Sequence, residues 1–73
     1  MIAVIEQYGH TRAKMRLSSE ETAEEEATIK AQHLQEDGKM DTGYFDIYLY
    51  QTVQDADDDD SRDCPEDHIV GIL

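Results

Sequence analysis

Apolar residues recur along the chain at two periods, and the switch between them outlines a fold. Residues 2–8, Ile-Ala-Val-Ile-Glu-Gln-Tyr, are rich in strand formers, and Gly9-His10 follows as a turn signal, with the glycine free to take positive φ. Residues 12–17 then alternate. Ala13, Met15 and Leu17 share one side, and Arg12, Lys14 and Arg16 the other. Period two of this kind predicts a half-buried strand with a basic outer face, and the two runs together predict a β-hairpin.

The period then lengthens. Ser18 with Glu21 three residues on fits a capping box, in which each side chain satisfies a free backbone N–H. Glu20 and Glu21 suit the positive end of a helix dipole. The helix predicted from this start runs to about Gln35, with a narrow stripe of Ala23, Ala27, Ala31 and Leu34 that would sit close against a sheet. Ile29 falls off the stripe. Gly38 stands where a helix C-cap belongs.

Period two returns at residues 44–53. Phe45, Ile47, Leu49 and Val53 share one face, interrupted by Gln51; Tyr44, Asp46, Tyr48, Tyr50 and Thr52 share the other. An acidic stretch at about 54–67, with Asp57 to Asp60 consecutive, predicts a mobile loop. Residues 68–73, His-Ile-Val-Gly-Ile-Leu, predict a short last strand. The order is ββαββ, an α+β fold with one helix packed on a mainly antiparallel sheet, in a single domain spanning 1–73.

Charge changes the picture more than composition does. The 73 residues carry 18 acids against 6 bases, a formal net charge of −12. The balance is +2 over residues 1–16 and −14 over residues 17–73. Such a field repels nucleic acid and anionic membrane and attracts basic protein surfaces. A chain this short buries only about 60% of its unfolded surface, which leaves little room for an enclosed active site. Cys64 is the lone cysteine, so no internal disulfide forms, which suits a reducing compartment. No basic leader, long apolar run or lipidation box is present, and a cytoplasmic location in the host cell is expected.

A hairpin, then LSSEETAEEEATIKAQHLQEDG, then an aromatic strand resembles small phage and mobile-element proteins of the DpnD/PcfM-like kind. Several small anti-CRISPR proteins share the outline. The resemblance covers roughly residues 1–53 and rests on two strands, a helix beginning Ser-x-x-Glu-x-Ala, and a third strand; residues 54–73 depart from it. The acidity is also similar to that of phage DNA-mimic inhibitors, the uracil-DNA glycosylase inhibitors among them. The resemblance implies a non-enzymatic inhibitor of a host defence or DNA-processing protein.

The residues support that expectation directly. A rigid array of carboxylates offers a DNA-binding groove a potential like that of closely spaced phosphates. Glu20, Glu21, Glu24, Glu25 and Glu26, with Asp55, Asp57, Asp58, Asp59, Asp60 and Asp63, are the candidate array. Simple solvation and adaptation to high salt are the ordinary alternatives, the second favoured by only three lysines. Asp55, Asp57, Asp59, Asp63 and Glu66 match the ligand spacing of an EF-hand loop, but Asp60 stands where the turn needs glycine and Arg62 where an apolar anchor belongs. Cys64, His68, His10 and His33 are too scattered for tetrahedral zinc. Beside Asp63, Glu66 and Asp67, Cys64 makes a weak nucleophile.

Tyr44, Tyr48 and Tyr50 form the other candidate surface, since tyrosine combines large rigid area with a polar tip. The ordinary alternative is that these rings pack on the stems of Arg12, Lys14 and Arg16. The expectation is therefore a binding protein with no cofactor, no metal and no enzymatic activity. Its acids dock on the basic groove of a nucleic-acid-binding protein, a CRISPR effector first. The second expectation is an adaptor that uses the tyrosine face and can homodimerise. The partner-binding residues on these two readings are Glu20, Glu21, Glu24, Glu25, Asp55, Asp57, Asp58, Asp59, Asp60, Tyr48 and Tyr50.

Overall fold

The computed structural model describes residues 1–51 and 65–73. The chain forms β1 (Ile2–Gln7), β2 (His10–Arg16), α1 (Ala23–Glu36), β3 (Tyr44–Tyr50) and β4 (Asp67–Ile72). The strands make one antiparallel sheet in the order β2-β1-β3-β4, with α1 on one face. The α+β class and the ββαββ order are those expected. Within the expected acidic loop, residues 54–64 lie outside the described residues, as do Thr52 and Val53 of the expected third strand. That strand ends at Tyr50, and the last strand begins one residue earlier than expected, at Asp67.

The first turn is Tyr8-Gly9 rather than Gly9-His10. Tyr8 has φ 55° and Gly9 φ 77°, the two positive values that a two-residue type I′ hairpin needs to match the strand twist. Gln7 pairs with His10, so His10 already belongs to β2. The register shifts between Ile5 and Glu6, which pair with Ala13 and Thr11. Arg12 is the extra residue of this bulge. It is half-buried, while Lys14 and Arg16 are exposed as expected.

Residues 18–22 turn before the helix begins, and the expected capping box between Ser18 and Glu21 does not form. Glu26, inside the helix, takes the role instead. It accepts from the Ser18 N–H at 3.2 Å, the Ser18 hydroxyl at 3.0 Å and the Thr22 hydroxyl at 2.8 Å. These bonds, the Thr22 hydroxyl foremost, hold its carboxyl below the usual value of 4.5. The contribution is therefore present above that value and is lost as pH falls below it through the lowered one. At the other end Gly38, at φ 76°, donates to the Gln35 carbonyl at 3.0 Å, and Lys39 donates to that of Leu34 at 2.8 Å. This pair is a Schellman motif.

The core lies between α1 and the sheet. Ala23, Ala27 and Ala31 are fully buried, and Leu34 nearly so, against Ala3, Ile5, Phe45, Ile47 and Leu49. The short alanine side chains let the helix axis approach the sheet closely. The Phe45 ring lies over Gly71, its partner on β4. A Cβ at Gly71 would stand 2.8 Å from both Phe45 Cε atoms, closer than carbon atoms approach. Gln7 is the one buried polar side chain among the described residues. Its Nε2 donates to the Asp41 carbonyl at 2.8 Å, and its Oε1 accepts from the Asp41 N–H at 2.9 Å. It thereby ties the end of β1 to the connection entering β3.

Two stability tests arise from this packing. Gly71→Ala forces Phe45 out of place, and we expect a loss of about 1–3 kcal/mol, read from urea denaturation. Tyr8→Asn relieves the positive-φ cost of tyrosine and favours the same turn, so a gain of about 0.5–1 kcal/mol is expected. Unchanged or lower stability in that variant would show that the Tyr8 ring contributes more than its backbone costs.

Candidate functional site

The two surfaces expected from the sequence lie on opposite faces of the molecule. On the helix side, Glu20 and Glu21 stand in the turn before α1, and Glu24 and Glu25 in its first turn. All four are exposed, and none forms an ion pair among the described residues. Glu26 is drawn off by Ser18 and Thr22, as above. Glu21, Glu24 and Glu25 line a shallow groove along the outer surface of α1, together with Thr28, Ile29 and Gln32. Ile29, off the buried stripe, is exposed within this acidic rim. Asp55, Asp57, Asp58, Asp59, Asp60 and Asp63, which include every position of the EF-hand spacing except Glu66, lie outside the described residues, as does Cys64.

On the sheet side, strand order decides which residues meet. Because β1 separates β2 from β3, the tyrosines of β3 do not lie beside Lys14 and Arg16. One row across the outer face instead reads Lys14, Val4, Tyr48, His68, and the next reads Arg16, Ile2, Tyr50. Tyr50 is buried with Ile2 and Val4, and Tyr48 packs against this cluster. Tyr50 is therefore a structural residue of the outer face, which corrects its expected place at a contact surface.

The register brings together a group that sequence separation hid. His68 stacks on Tyr48 with ring centroids 4.5 Å apart and planes within 7°. Its Nε2 lies 2.9 Å from Asp46 Oδ1. An ionised carboxylate only accepts, so the proton of this bond is on His68 Nε2. Tyr48 and His68 are direct cross-strand partners, and Asp46 lies on the diagonal, within the reach of long side chains. Asp46 and His68 are 22 residues apart. Their shared outward parity was readable in advance, but the strand pairing that joins them was not. Burial raises the Tyr48 pKa above its ordinary value of 10.0, and the charges of Asp46 and Glu6 add to the shift.

Beyond the Asp46–His68 pair the outer face turns apolar. Tyr44, Val70 and Ile72 are 68%, 55% and 62% exposed. Tyr44 pairs directly with Ile72, and Asp46 with Val70. Among the described residues no group of three or more His, Cys, Asp or Glu side chains is arranged to hold a metal ion. No helix among them is long and apolar enough to cross a membrane.

Tyr48 offers a direct test of this geometry. Its raised pKa means that its share of stability is intact below about pH 10 and is lost as pH climbs through the raised value. Asp46→Asn removes one of the charges opposing ionisation. The Tyr48 titration, followed by ring-carbon NMR, should then move down towards 10.0. Compared with known proteins, the chain matches no family model, no curated protein and no solved structure.

Proposed function

We propose that this protein is a non-enzymatic inhibitor that docks its acidic helix face on the basic nucleic-acid groove of a host defence or DNA-processing protein. It acts in the cytoplasm of the host cell, with a CRISPR effector as first target and a restriction enzyme or DNA-repair glycosylase next. The observation that carries this reading is the α1 groove. Glu24 and Glu25, on a helix fixed to the sheet, and Glu21, in the turn before it, stand exposed around the exposed side chain of Ile29. Arginine and lysine fit such a surface twice over. Their aliphatic stems cover an apolar residue while their charged heads meet carboxylates. Because the acids are held by the fold rather than by a flexible tail, little ordering cost attends binding. No cofactor and no nucleic acid takes part.

A second reading, an adaptor that contacts a protein partner through the sheet, is favoured by the exposed Tyr44, Val70 and Ile72. Tyr44 takes the place of Tyr50 in that reading, since Tyr50 is buried.

Competition for duplex DNA separates the two. The protein should displace DNA from a CRISPR effector, a restriction enzyme or a uracil-DNA glycosylase, and less well as salt rises past the point where the screening length is about 8–10 Å. Glu21→Gln, Glu24→Gln and Glu25→Gln together keep shape and helix propensity. At about 0.5–1.5 kcal/mol per lost contact they should weaken competition at least tenfold. Failure to displace DNA from all three targets, or equal competition by the triple variant, overturns mimicry. Loss of binding in Tyr44→Ser with the triple variant still active selects the adaptor.

A further inference from the structure

The two edges of the sheet are defended unequally. The β2 edge carries Lys14 and Arg16 exposed, with Arg12 at a bulge, the charge and irregularity that stop edge-to-edge pairing. Among the described residues β4 pairs with β3 alone, and past Asp67 and His68 it holds only Ile69, Val70, Gly71, Ile72 and the following Leu73.

Hydrogen bonding fixes which backbone groups of β4 point outward. Gly43 and Leu73 exchange both bonds, at 3.2 and 2.9 Å. Antiparallel ladders alternate, so Gly71 and Ile69 also bond to β3, while the N–H and C=O groups of His68, Val70 and Ile72 face the open edge. The side chains agree, since Tyr48 and His68 stack closely, as non-hydrogen-bonded partners do. The His68 N–H also agrees, because it takes the Asp67 carboxylate at 2.8 Å instead of a strand partner.

We infer that β4 is a homodimer interface, at which two copies join antiparallel about Val70 to make one continuous eight-stranded sheet. Only one register uses all three outward residues. Val70 faces Val70 of the second copy, and His68 faces Ile72 in both directions. The alternatives centred on His68 or Ile72 leave one end of the edge without partners. The chosen register also satisfies charge. Asp67 of each copy lands opposite Leu73 of the other, so no like-charged side chains oppose across the seam. Val70 and Ile72 of both copies then merge with Tyr44 into one apolar patch on the outer face. A second copy is the occupant because the strand complements itself, and because most carboxylates among the described residues lie away from β4: Glu20, Glu21, Glu24 and Glu25 sit on the far face with α1. Neither the α1 groove nor its target enters the inference, so the two stand or fall separately.

Sedimentation equilibrium of the full chain, paired with amide hydrogen exchange, tests it. The wild type should have twice the chain mass, and association should tighten with added salt as the net repulsion of −12 per chain is screened, the opposite of the trend for a basic partner. The Val70 and Ile72 amides should exchange at least tenfold more slowly in the dimer than in Val70→Lys, which should be monomeric. The Ile69 and Gly71 amides, bonded to β3, should stay protected in both, which shows that the variant keeps its sheet. Ile72→Lys, also on an exposed side chain, serves if Val70→Lys does not fold. A wild type that stays monomeric at about 1 mM, a dimer with fast exchange at Val70 and Ile72, or a lysine variant that dimerises as the wild type does overturns the interface.

Discussion

Both layers of this small fold depend on β1 being enclosed on every side. It is hydrogen-bonded to β2 on one edge and β3 on the other. Ala3 and Ile5 are buried beneath α1, while Ile2 and Val4 are buried on the opposite face with Tyr50. A strand buried on both faces reads as an unbroken apolar run rather than an alternation, and Ile-Ala-Val-Ile is that run. Its end is fixed by Gln7, whose amide holds Asp41 through two hydrogen bonds. A buried amide stripped of such partners would cost about 1–3 kcal/mol, so the same contact both satisfies Gln7 and sets where β3 begins.

Enclosing β1 separates the molecule electrostatically. The helix that covers one face presents Glu24 and Glu25 outward, its buried stripe being too narrow to involve them, and Glu20 and Glu21 are exposed in the turn before it. The other face has Lys14 and Arg16 at one side, the Asp46–His68 pair within it, and apolar Val70 and Ile72 at the far side. Those exposed glutamates thus lie on the helix side, while β4 past His68 carries no charged side chain.

Phe45 and Gly71 link the core to that edge. The ring needs the space that a side chain at Gly71 would fill, so β4 lies flat against β3 only because residue 71 is glycine. His68 then pins the outer face of the same strand through Tyr48 and Asp46. The outward backbone groups of β4 are held in register from both faces. Little ordering is left for such an edge to undergo on pairing.

The periodic segments were legible from residues alone. The alternation of Ala13, Met15 and Leu17, the stripe from Ala23 to Leu34 and the run Phe45, Ile47, Leu49 each bury the residues that local pattern assigns, or pack them against the core. Gly38 caps the helix as its position foretold. These features depend on backbone geometry within a few residues, so sequence determines them. What depends on pairing between distant segments was decided by tertiary structure. Strand order put β1 between the basic strand and the tyrosines, buried Tyr50 and joined Asp46 to His68. The turn before α1 gave Glu26 the role that spacing had assigned to Glu21. Tyr8 took positive φ because a two-residue hairpin with right-handed twist admits no other backbone. A period shows which side of an element is apolar; only the neighbour packed against it determines which residues of the other side remain in contact with water.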